Sequence, residues 1–382
     1  MAFPSGWSRR CAITINHLKV PSSQSGFPVL LGYNAVGSEH NLPDEMLDSA
    51  SAFKANSNGS DIRFTSDLAG ANGLHAEIVL FTQNATAGSR KAEIWVNCNP
   101  SSSVDTVIYV WYNNAAASAP AANDATFGSQ GVWDSNFKFV WHCPNGTVLS
   151  AADSTSNANN GTLGSAVGGG AVPDPATGKI DGGASFNTAD RDFIESPSIN
   201  MGTSMTFSAW ASRTALGGNY RGIIYNDYNT GMGIGIVGGS TLAVLFIKND
   251  QSINGGSLPA DGSWHYVVGT YDGTTGRLYI DGVQVASGAV AAPTIGSSVI
   301  SAGVLKGTGI GPNEAWGGSI DEERASTTAR SANWIAAEYN NQNDPSTFST
   351  PGTPVGVGGS LFTVSSLSGL GAGGKFFQNP LN

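Results

Sequence analysis

Oxygen-donating side chains are concentrated in a short polar stretch of this 382-residue chain. Residues 153–161 read D-S-T-S-N-A-N-N-G and offer a carboxylate, hydroxyls and amides. A Ca²⁺ ion is bound by several oxygens of these kinds, so Asp153 and Asn157 are candidate calcium ligands. Turn formation is the alternative role of the asparagines, because Asn tolerates left-handed backbone.

A second stretch combines tyrosines with hydrogen-bonding groups, Y-R-G-I-I-Y-N-D-Y over residues 220–228. Aromatic rings can stack on the faces of sugars while charged and amide groups bind their hydroxyls. The alternative is an ordinary hairpin whose tyrosines pack against the edge of a sheet. The candidate glycan-binding residues are Tyr220, Arg221, Tyr225, Asp227 and Tyr228.

Catalytic chemistry has little support in the sequence. Glycoside hydrolysis needs two carboxylates that face one sugar, whereas Asp321, Glu322 and Glu323 are adjacent. Strand alternation predicts that Glu322 lies on the face opposite its two neighbours. The histidines are far apart in the sequence, and packing or hydrogen bonding is the expected role of His142 and His265. We therefore expect a protein that is not an enzyme.

The composition excludes several other classes of function. A formal charge of −10 argues against binding to nucleic acid, which requires a basic face. Apolar residues nowhere run for 18 positions, so membrane insertion is not expected. Three cysteines without a metal-binding spacing predict buried free thiols. The 51 glycines and the low charged fraction of 12% favour short strands and many turns.

The strand pattern divides the chain into two β domains and a tail. Residues 1–128 contain runs such as Ala92-Glu-Ile-Trp-Val and Thr106-Val-Ile-Tyr-Val-Trp-Tyr, bounded by turn residues. In residues 129–348, alternation at Trp264, Tyr266 and Val268 predicts strands with one buried face. Ser331 is a candidate N-cap for a short helix that ends this domain.

The words W-H-Y-V-V-G-T-Y-D and L-Y-I-D-G, at residues 264–272 and 278–282, resemble the central hairpins of laminin-G-like, concanavalin A-like jelly rolls. This resemblance covers residues 131–348 and departs from the family at D-R-D-F, residues 190–193. It implies that a calcium ion joins an early Asp/Asn loop to an acidic residue near the last strand, here Asp153 and Asp321. The first domain resembles a β-sandwich domain of unknown function that commonly precedes such jelly rolls.

The last segment, residues 349–382, begins with a Pro- and Gly-rich run that predicts a flexible linker. An apolar stretch interrupted by glycines follows, and we expect it to dock on another surface because it would be sticky when exposed. The candidate docking residues are Leu361, Phe362, Leu370, Phe376 and Phe377.

The sequence thus predicts an all-β protein of two antiparallel β-sandwich domains, the second a concanavalin A-like jelly roll, with an extended C-terminal tail. The first residues lack the apolar segment of a signal peptide. We expect a structural protein on the surface of a bacteriophage virion, a head decoration, head fibre or tail accessory subunit made in the host cytoplasm. Its expected partners are other virion proteins, further copies of itself and cell-surface glycans. The alternative is an extracellular bacterial adhesin or carbohydrate-binding protein.

Overall fold

The structure is a computed structural model that describes residues 3–34, 40–144, 146–214, 220–227, 230–248, 251–291, 293, 296–305 and 314–357. Its helices are α1 Asp44–Leu47, α2 Ala332–Asn343 and α3 Pro345–Phe348. Its strands are β1 Arg9–Ile15, β2 Phe27–Asn34, β3 Arg63–Thr65, β4 Gly73–Leu74, β5 Ala76–Thr82, β6 Lys91–Cys98, β7 Thr106–Tyr112, β8 Phe137–Trp141, β9 Thr162–Ser165, β10 Asp174–Ile180, β11 Gly182–Phe186, β12 Asp192–Glu195, β13 Ile199–Asn200, β14 Met205–Arg213, β15 Arg221–Tyr225, β16 Met232–Ile236, β17 Leu242–Ile247, β18 Gln251–Ser257, β19 Trp264–Tyr271, β20 Thr275–Ile280, β21 Val283–Ala289, β22 Ser297–Ser298, β23 Ser301–Ala302, β24 Gly318–Ser326, β25 Ser349–Pro351 and β26 Val355–Gly356.

The first domain is a sandwich of two antiparallel sheets. One sheet has the order β25-β1-β7-β3-β4, with β26 also on β1, and the other has the order β2-β6-β5. Alternate side chains of the two sheets meet in one core, which includes Ile13 and Val110 from the first sheet and Val29 and Ile94 from the second. The predicted all-β fold of this region is confirmed.

Strands β25 and β26 correct the prediction of a flexible linker from Ser349 onward. Ile13 of β1 is paired with Pro351, and Arg10 is paired with Val355. The outer edge of β1 presents unpaired backbone groups, and an extended Pro/Gly segment can satisfy them. Residues 349–357 therefore belong to the first sandwich although they follow the second in sequence. The candidate docking residues of the tail lie outside the described residues.

Two sheets form the jelly roll. Their orders are β10-β11-β24-β14-β19-β20-β21, with β8 also on β24, and β18-β17-β16-β15-β23-β12-β9. The core between them is aliphatic and aromatic and includes Phe207, Ile234, Leu245 and Val267. The predicted helix is confirmed as α2, and the Ser331 hydroxyl accepts the backbone N–H of Trp334 as its N-cap.

Strand β19 is buried on both faces, so the prediction of one buried face is wrong. Val267 points into the core between the sheets. Tyr266 and Val268 point the other way and pack with Ile335 of α2. The second face is buried because α2 covers the back of this sheet, which alternation in β19 alone does not reveal.

The two domains share one hydrophobic core. Trp133 and Phe137, at the start of the jelly roll, lie in the same buried cluster as the sandwich residues Trp95 and Val96. The ring of Trp334 of α2 packs edge-on against Phe27 of β2, with 4.9 Å between ring centroids. The sandwich therefore packs on the back of the jelly roll with α2 between them. None of the helices in the described ranges is long and apolar enough to cross a membrane.

Candidate functional site

A polar pocket opens at one end of the jelly roll, where β10, β12 and β24 begin and β11 ends. Its volume is about 380 Å³, which is large enough for a small ligand. Carboxylates, hydroxyls and one aromatic ring surround it. The lining residues are Ala171, Asp174, Ser185, Phe186, Asn187, Thr188, Asp190, Asp192, Thr214, Gly317 and Gly318.

Asp192 is the buried carboxylate of this pocket, with only 2% of its surface exposed. Its Oδ2 accepts a 2.8 Å hydrogen bond from the backbone N–H of Asn187. Its Oδ1 is buried without a hydrogen-bond partner among the described residues. Burial raises the pKa of Asp192, and the nearby charges of Asp190 and Asp174 raise it further. A buried acceptor without a partner is costly, so this pocket suits a ligand that donates a hydrogen bond.

The loop between β11 and β12 positions these carboxylates. Asn187 accepts the backbone N–H of Ala189 through its side chain and that of Arg191 through its carbonyl oxygen. Arg191 has a positive φ of 55°, so the chain reverses within a few residues. This tight turn brings Asp190 and Asp192 to the same opening.

A glycine, Gly318, also lines the pocket. Gly318, the first residue of β24, has a φ of +143°, and a Cβ at this position would lie 2.2 Å from the carbonyl oxygen of Ser212. Only glycine lets β24 start this close to β14. The pocket therefore depends on a backbone approach that a side chain would prevent.

Two of the predicted glycan-binding residues, Arg221 and Tyr225, are buried in the described structure. Arg221 is 5% exposed and its guanidinium donates to the carbonyl oxygen of Ala315 at 2.9 Å. Tyr225 is fully buried and its ring packs edge-on against Phe246 at 5.6 Å. Both lie in β15, where sheet packing takes the side chains out of solvent. For Tyr225 the structure supports the alternative interpretation, in which the tyrosines pack on a sheet.

Of the other predicted glycan-binding residues, Tyr220 and Asp227 are described, and each has contacts of its own. Tyr220 is 41% exposed, and its ring edge contacts Phe246. Asp227 accepts the backbone N–H and the hydroxyl of Thr230, so its carboxylate organises a turn. Tyr228 lies outside the described residues.

The predicted calcium ligand Asp153 organises its own loop. Its Oδ1 accepts the backbone N–H groups of Val140 and Thr155 at 3.1 and 2.9 Å. Its Oδ2 accepts the N–H of Asn159 at 2.7 Å and the hydroxyl of Thr155 at 2.8 Å. These four donors occupy both carboxylate oxygens, as in a structural turn.

The other two predicted calcium ligands have separate partners. The Asn157 side chain donates to the carbonyl oxygen of Phe137 at 2.9 Å. Asp321 is fully buried and accepts the backbone N–H of Ile180 at 2.9 Å. Asp153 binds residues of β8 and its own loop, whereas Asp321 binds the end of β10.

A second cluster of charges lies at the junction of the two domains. His142 Nδ1 is 2.7 Å from Glu322 Oε1 and 3.2 Å from Glu93 Oε1. Its Nε2 is 3.5 Å from Glu77 Oε2. Glu93, His142 and Glu322 are buried, and their ligand atoms lie within 4.8 Å of one another, close enough to hold a metal ion. Glu77 and Glu93 come from the sandwich and Glu322 from the jelly roll.

Arg324 adds a positive charge beside this cluster. Its guanidinium donates to Glu322 and Glu338. It lies 4.5 Å from the ring centroid of Trp95 and 4.9 Å from that of Trp133. Stacking between aromatic rings stabilises a desolvated cation. The charge of Arg324 already neutralises Glu322, so the geometry supports an ion-pair network more directly than a metal centre.

The charges in this network shift one another's pKa values. Burial alone would raise the pKa of Glu322, but the charges of His142 and Arg324 lower it to about 2. Burial opposes the charged form of His142, yet Glu322 and the other carboxylates hold its pKa well above the usual value. Burial raises the pKa of Glu323 to about 7. The side chains of His142 and Arg324 therefore both carry a positive charge in this network.

A bulge in β24 corrects the prediction from strand alternation. Glu322 has a positive φ of 56°, and the register against β14 shifts at this point. Asp321 and Glu322 consequently both face the sandwich, where they bind Ile180 and His142. Glu323 faces the opposite way and contacts the thiol of Cys143 in the jelly-roll core. One extra residue in the strand cancels the alternation.

Sequence reasoning missed the pocket carboxylates Asp174, Asp190 and Asp192. The only signal was the D-R-D-F run at residues 190–193, which departs from the pattern of the family that the domain resembles. The structure places this run at the pocket. The junction cluster had no signal, because Glu93, His142 and Glu322 are far apart in the sequence. The three cysteines are free and buried, as predicted.

Comparisons with known proteins concern the second domain. A family model described as the concanavalin A-like lectin/glucanases superfamily matches residues 186–336. No curated protein sequence matches the chain.

Solved structures are also similar in part. Domain 4 of AbnA, an extracellular arabinanase of Geobacillus stearothermophilus, is 21% identical, with a TM-score of 0.43 over 53% of this chain and 97% of that domain. The binding domain of Paraclostridial Mosquitocidal Protein 1 is 15% identical, with a TM-score of 0.41 over 53% of this chain. The binding domain of botulinum neurotoxin serotype C1 is 17% identical, with a TM-score of 0.39 over 54% of this chain. The match spans about half the length of each toxin binding domain, 52% in both.

The family match, the two facing antiparallel sheets and the aliphatic core between them agree with one another. Residues 186–336 match the family model of the concanavalin A-like lectin/glucanases superfamily, and the second domain of this chain has the fold of a concanavalin A-like jelly roll.

Proposed function

We propose that this protein is a non-catalytic glycan-binding protein that holds a saccharide in the polar pocket of its jelly roll. The observation that carries the proposal is the buried Oδ1 of Asp192, which lacks a partner in the described chain and belongs to a residue that lines the pocket. Sugar hydroxyls are neutral hydrogen-bond donors, and each can satisfy such an acceptor. The ring of Phe186 supplies an apolar surface in the same pocket.

The pocket fits a saccharide better than a single bound cation. In the described structure, the carboxylate oxygens of Asp174, Asp190 and Asp192 do not come within 4.8 Å of one another as a group of three, as the ligands of one ion would. A hydroxylated ring can bridge acceptors that are farther apart than the ligands of one ion. The mutual repulsion of three carboxylates also disfavours acidic sugars, so neutral sugars are the expected class.

Binding of neutral mono- and oligosaccharides to the full chain tests this proposal. On an immobilised panel, Asp190→Ala and Asp174→Ala should each weaken the best binder at least tenfold, because each removes an acceptor from the opening. Asp261→Ala is the matched control, since Asp261 is an exposed turn residue of the same domain. Equal binding by all three variants and the unmodified protein would refute the pocket as the site.

Catalysis is tested with the same panel. The proposal predicts that no saccharide is cleaved by the full chain. Release of reducing ends by the unmodified protein that disappears in Asp192→Asn would show instead that the pocket is an active site.

We further propose that the protein is a structural component of a bacteriophage virion, a head decoration, head fibre or tail accessory subunit with the jelly roll facing outward. The shared core of the two domains supports this role, because a rigid unit suits display on a particle. Several copies on one particle would make weak glycan affinity effective. The alternative is a secreted bacterial adhesin or carbohydrate-binding protein.

Gold-labelled antibodies against this protein should decorate intact purified particles at regular positions. Labelling confined to the bacterial surface or the culture medium would favour the adhesin. The number of labels per particle would also report the oligomer that we expect.

Calcium at Asp153, Asn157 and Asp321 stays a prediction from the sequence and its family resemblance. If an ion is bound there, a chelator should lower the melting temperature of the full chain, because binding to the folded state stabilises it. Asp153→Ala should abolish the chelator effect. An unchanged melting temperature with chelator would contradict the prediction.

A further inference from the structure

The first sandwich is open along one side, between strand β5 of one sheet and strand β4 of the other. Within the described residues, β5 pairs only with β6 and β4 only with β3, so each is an edge strand. A groove of about 220 Å³ runs between them. Its lining is mainly apolar and includes Ile62, Phe64, Leu74, Ile78 and Phe127, with Arg63 at the side.

In the sheet β2-β6-β5, the edge opposite β5 is the outer edge of β2. Side chains cover that edge, whereas the edge of β5 is open. Asn341 of α2 accepts the backbone N–H of Leu30 at 2.7 Å and donates to its carbonyl oxygen at 3.1 Å. Asn41 accepts the N–H of Gly32 in the same strand, β2. These amides imitate a neighbouring strand. Strand β5 instead presents the half-buried apolar residues Ile78, Val79 and Phe81.

The described chain ends close to this groove. The backbone N–H of Val357 donates to Ser8, and the neighbouring Trp7 ring lies 5.4 Å from the guanidinium of Arg63, a groove residue. Along the sheet, Arg10 is paired with Val355 on one side and with Trp111 on the other. Trp111 is in turn paired with Arg63. Three strand spacings, about 14 Å, therefore separate Val355 from Arg63, which lines the groove on the side of β3.

The residues that follow have the composition and length to fill it. Residues 358–382 contain a single charged side chain, Lys375, and the stretch 361–367 reads L-F-T-V-S-S-L. Phe362 follows Val355 by seven residues, which span about 23 Å when extended. This reach exceeds the distance from Val355 to Arg63 and leaves enough length to cross the groove toward β5.

We propose that residues 361–367 of the same chain add to β5 as a further strand and insert Phe362 and Val364 into the groove. Strand addition satisfies the free backbone groups of an edge, and alternate side chains enter the adjoining pockets. The same chain is the occupant because a short tether gives an effective concentration in the millimolar range. This inference is independent of glycan binding.

Hydrogen exchange of the full chain tests it, read at the amides of residues 76–82. Phe362→Asp combined with Val364→Asp should make these amides exchange at least tenfold faster, because charged side chains cannot enter an apolar groove. Thr363→Asp combined with Ser365→Asp is the matched control, with the same charges at positions that would face solvent. Amides of residues 106–112, in the middle of the other sheet, should not change in either variant.

Two outcomes would overturn the proposal. Exchange at residues 76–82 that is the same in the unmodified chain and both variants would show that the segment does not cover β5. Protection that falls on dilution would show that a second copy, and not the same chain, occupies the edge. Ile78→Lys offers an independent check, since a charge in the groove should release the segment and speed exchange of residues 361–367 tenfold.

Discussion

Glu322 is the residue on which the charges at the domain junction depend. Its positive φ places it beside Asp321 on the face toward the sandwich, where it binds both His142 and Arg324. A non-glycine residue in this conformation costs of order 1–3 kcal/mol and persists only when its surroundings compensate. The two cations provide that compensation. The strained backbone at the bulge is therefore stabilised by the ion pairs of the junction network.

The buried carboxyl of Glu323 makes stability depend on pH. Its pKa in the folded protein is raised to about 7 from an ordinary value of 4.5. Between these values the folded state holds a proton that the unfolded state has lost, so the free energy of unfolding falls as pH rises. The fall approaches about 1.4 kcal/mol per pH unit. Denaturant unfolding from pH 4.5 to 7.5 should show a flatter profile for Glu323→Gln than for the unmodified chain.

Asp261→Asn is the control for this pH profile, because it removes an exposed carboxyl from the same domain. It should leave the slope unchanged. Parallel profiles for the unmodified chain and Glu323→Gln would contradict the raised pKa.

Arg324 should be far more important for stability than an exposed arginine. Arg324→Met removes the cation that binds Glu338 and one of the two cations that bind Glu322. Breaking a buried ion pair from one side costs about 3–5 kcal/mol. Arg277→Met breaks an exposed pair with Asp272 and should cost at most about 1 kcal/mol. Chemical denaturation of both variants measures the difference. Equal losses would show that the junction network adds nothing to stability.

At the scale of elements, helix α2 acts as a strand substitute on the edge of β2. Asn341 makes two hydrogen bonds to the backbone of Leu30 and is fully buried. The helix is thereby fixed to the sandwich by main-chain contacts as well as by Trp334. The same helix packs Ile335 against the jelly roll, so one element holds both domains.

Asn341→Ala should therefore destabilise the protein by about 1–3 kcal/mol, because the buried N–H of Leu30 loses its partner. The carbonyl oxygen of Leu30 keeps its hydrogen bond from the side chain of Asn41. Asn340→Ala, one residue earlier, removes one bond from a half-buried side chain to the carbonyl oxygen of Lys19. This control should cost about 1 kcal/mol or less. Equal melting temperatures of the two variants would refute the role of Asn341 at the edge of β2.

At the scale of the whole molecule, the sandwich and the jelly roll are one cooperative unit. Their shared core contains Trp95 of the sandwich and Trp133 of the jelly-roll entry, and the terminal strands β25 and β26 return to the first sheet. Neither sandwich can open without exposing apolar surface of the other. Two independent unfolding steps are therefore not expected.

Calorimetry of the full chain should show one transition whose calorimetric and van't Hoff enthalpies agree, the test for two-state unfolding. Near-ultraviolet and far-ultraviolet signals should change at the same temperature. Two resolved peaks would mean that the junction is only a contact between separately stable domains.

Local patterns in the sequence were enough to predict the class of the fold and the positions of most of its elements. Alternation of apolar residues located β19 and β20, and the Ser331 N-cap located α2, because these signals act over a few neighbouring residues. The buried thiols also followed from the cysteine spacing. The family resemblance of the second domain agreed with the jelly roll that the structure shows.

The places where the functional groups meet depend instead on contacts between distant parts of the chain. Glu93, His142 and Glu322 come together through the packing of two domains, and the bulge at Glu322 cancels the face that alternation assigns. Asp174 and Asp192 share a pocket because β10 and β12, which belong to different sheets, begin at the same end of the jelly roll. Arg221 and Tyr225 have the residue types of a sugar site, yet sheet packing buries them. Packing between distant parts of the chain determines which side chains are exposed to solvent, so a local sequence pattern cannot predict that exposure.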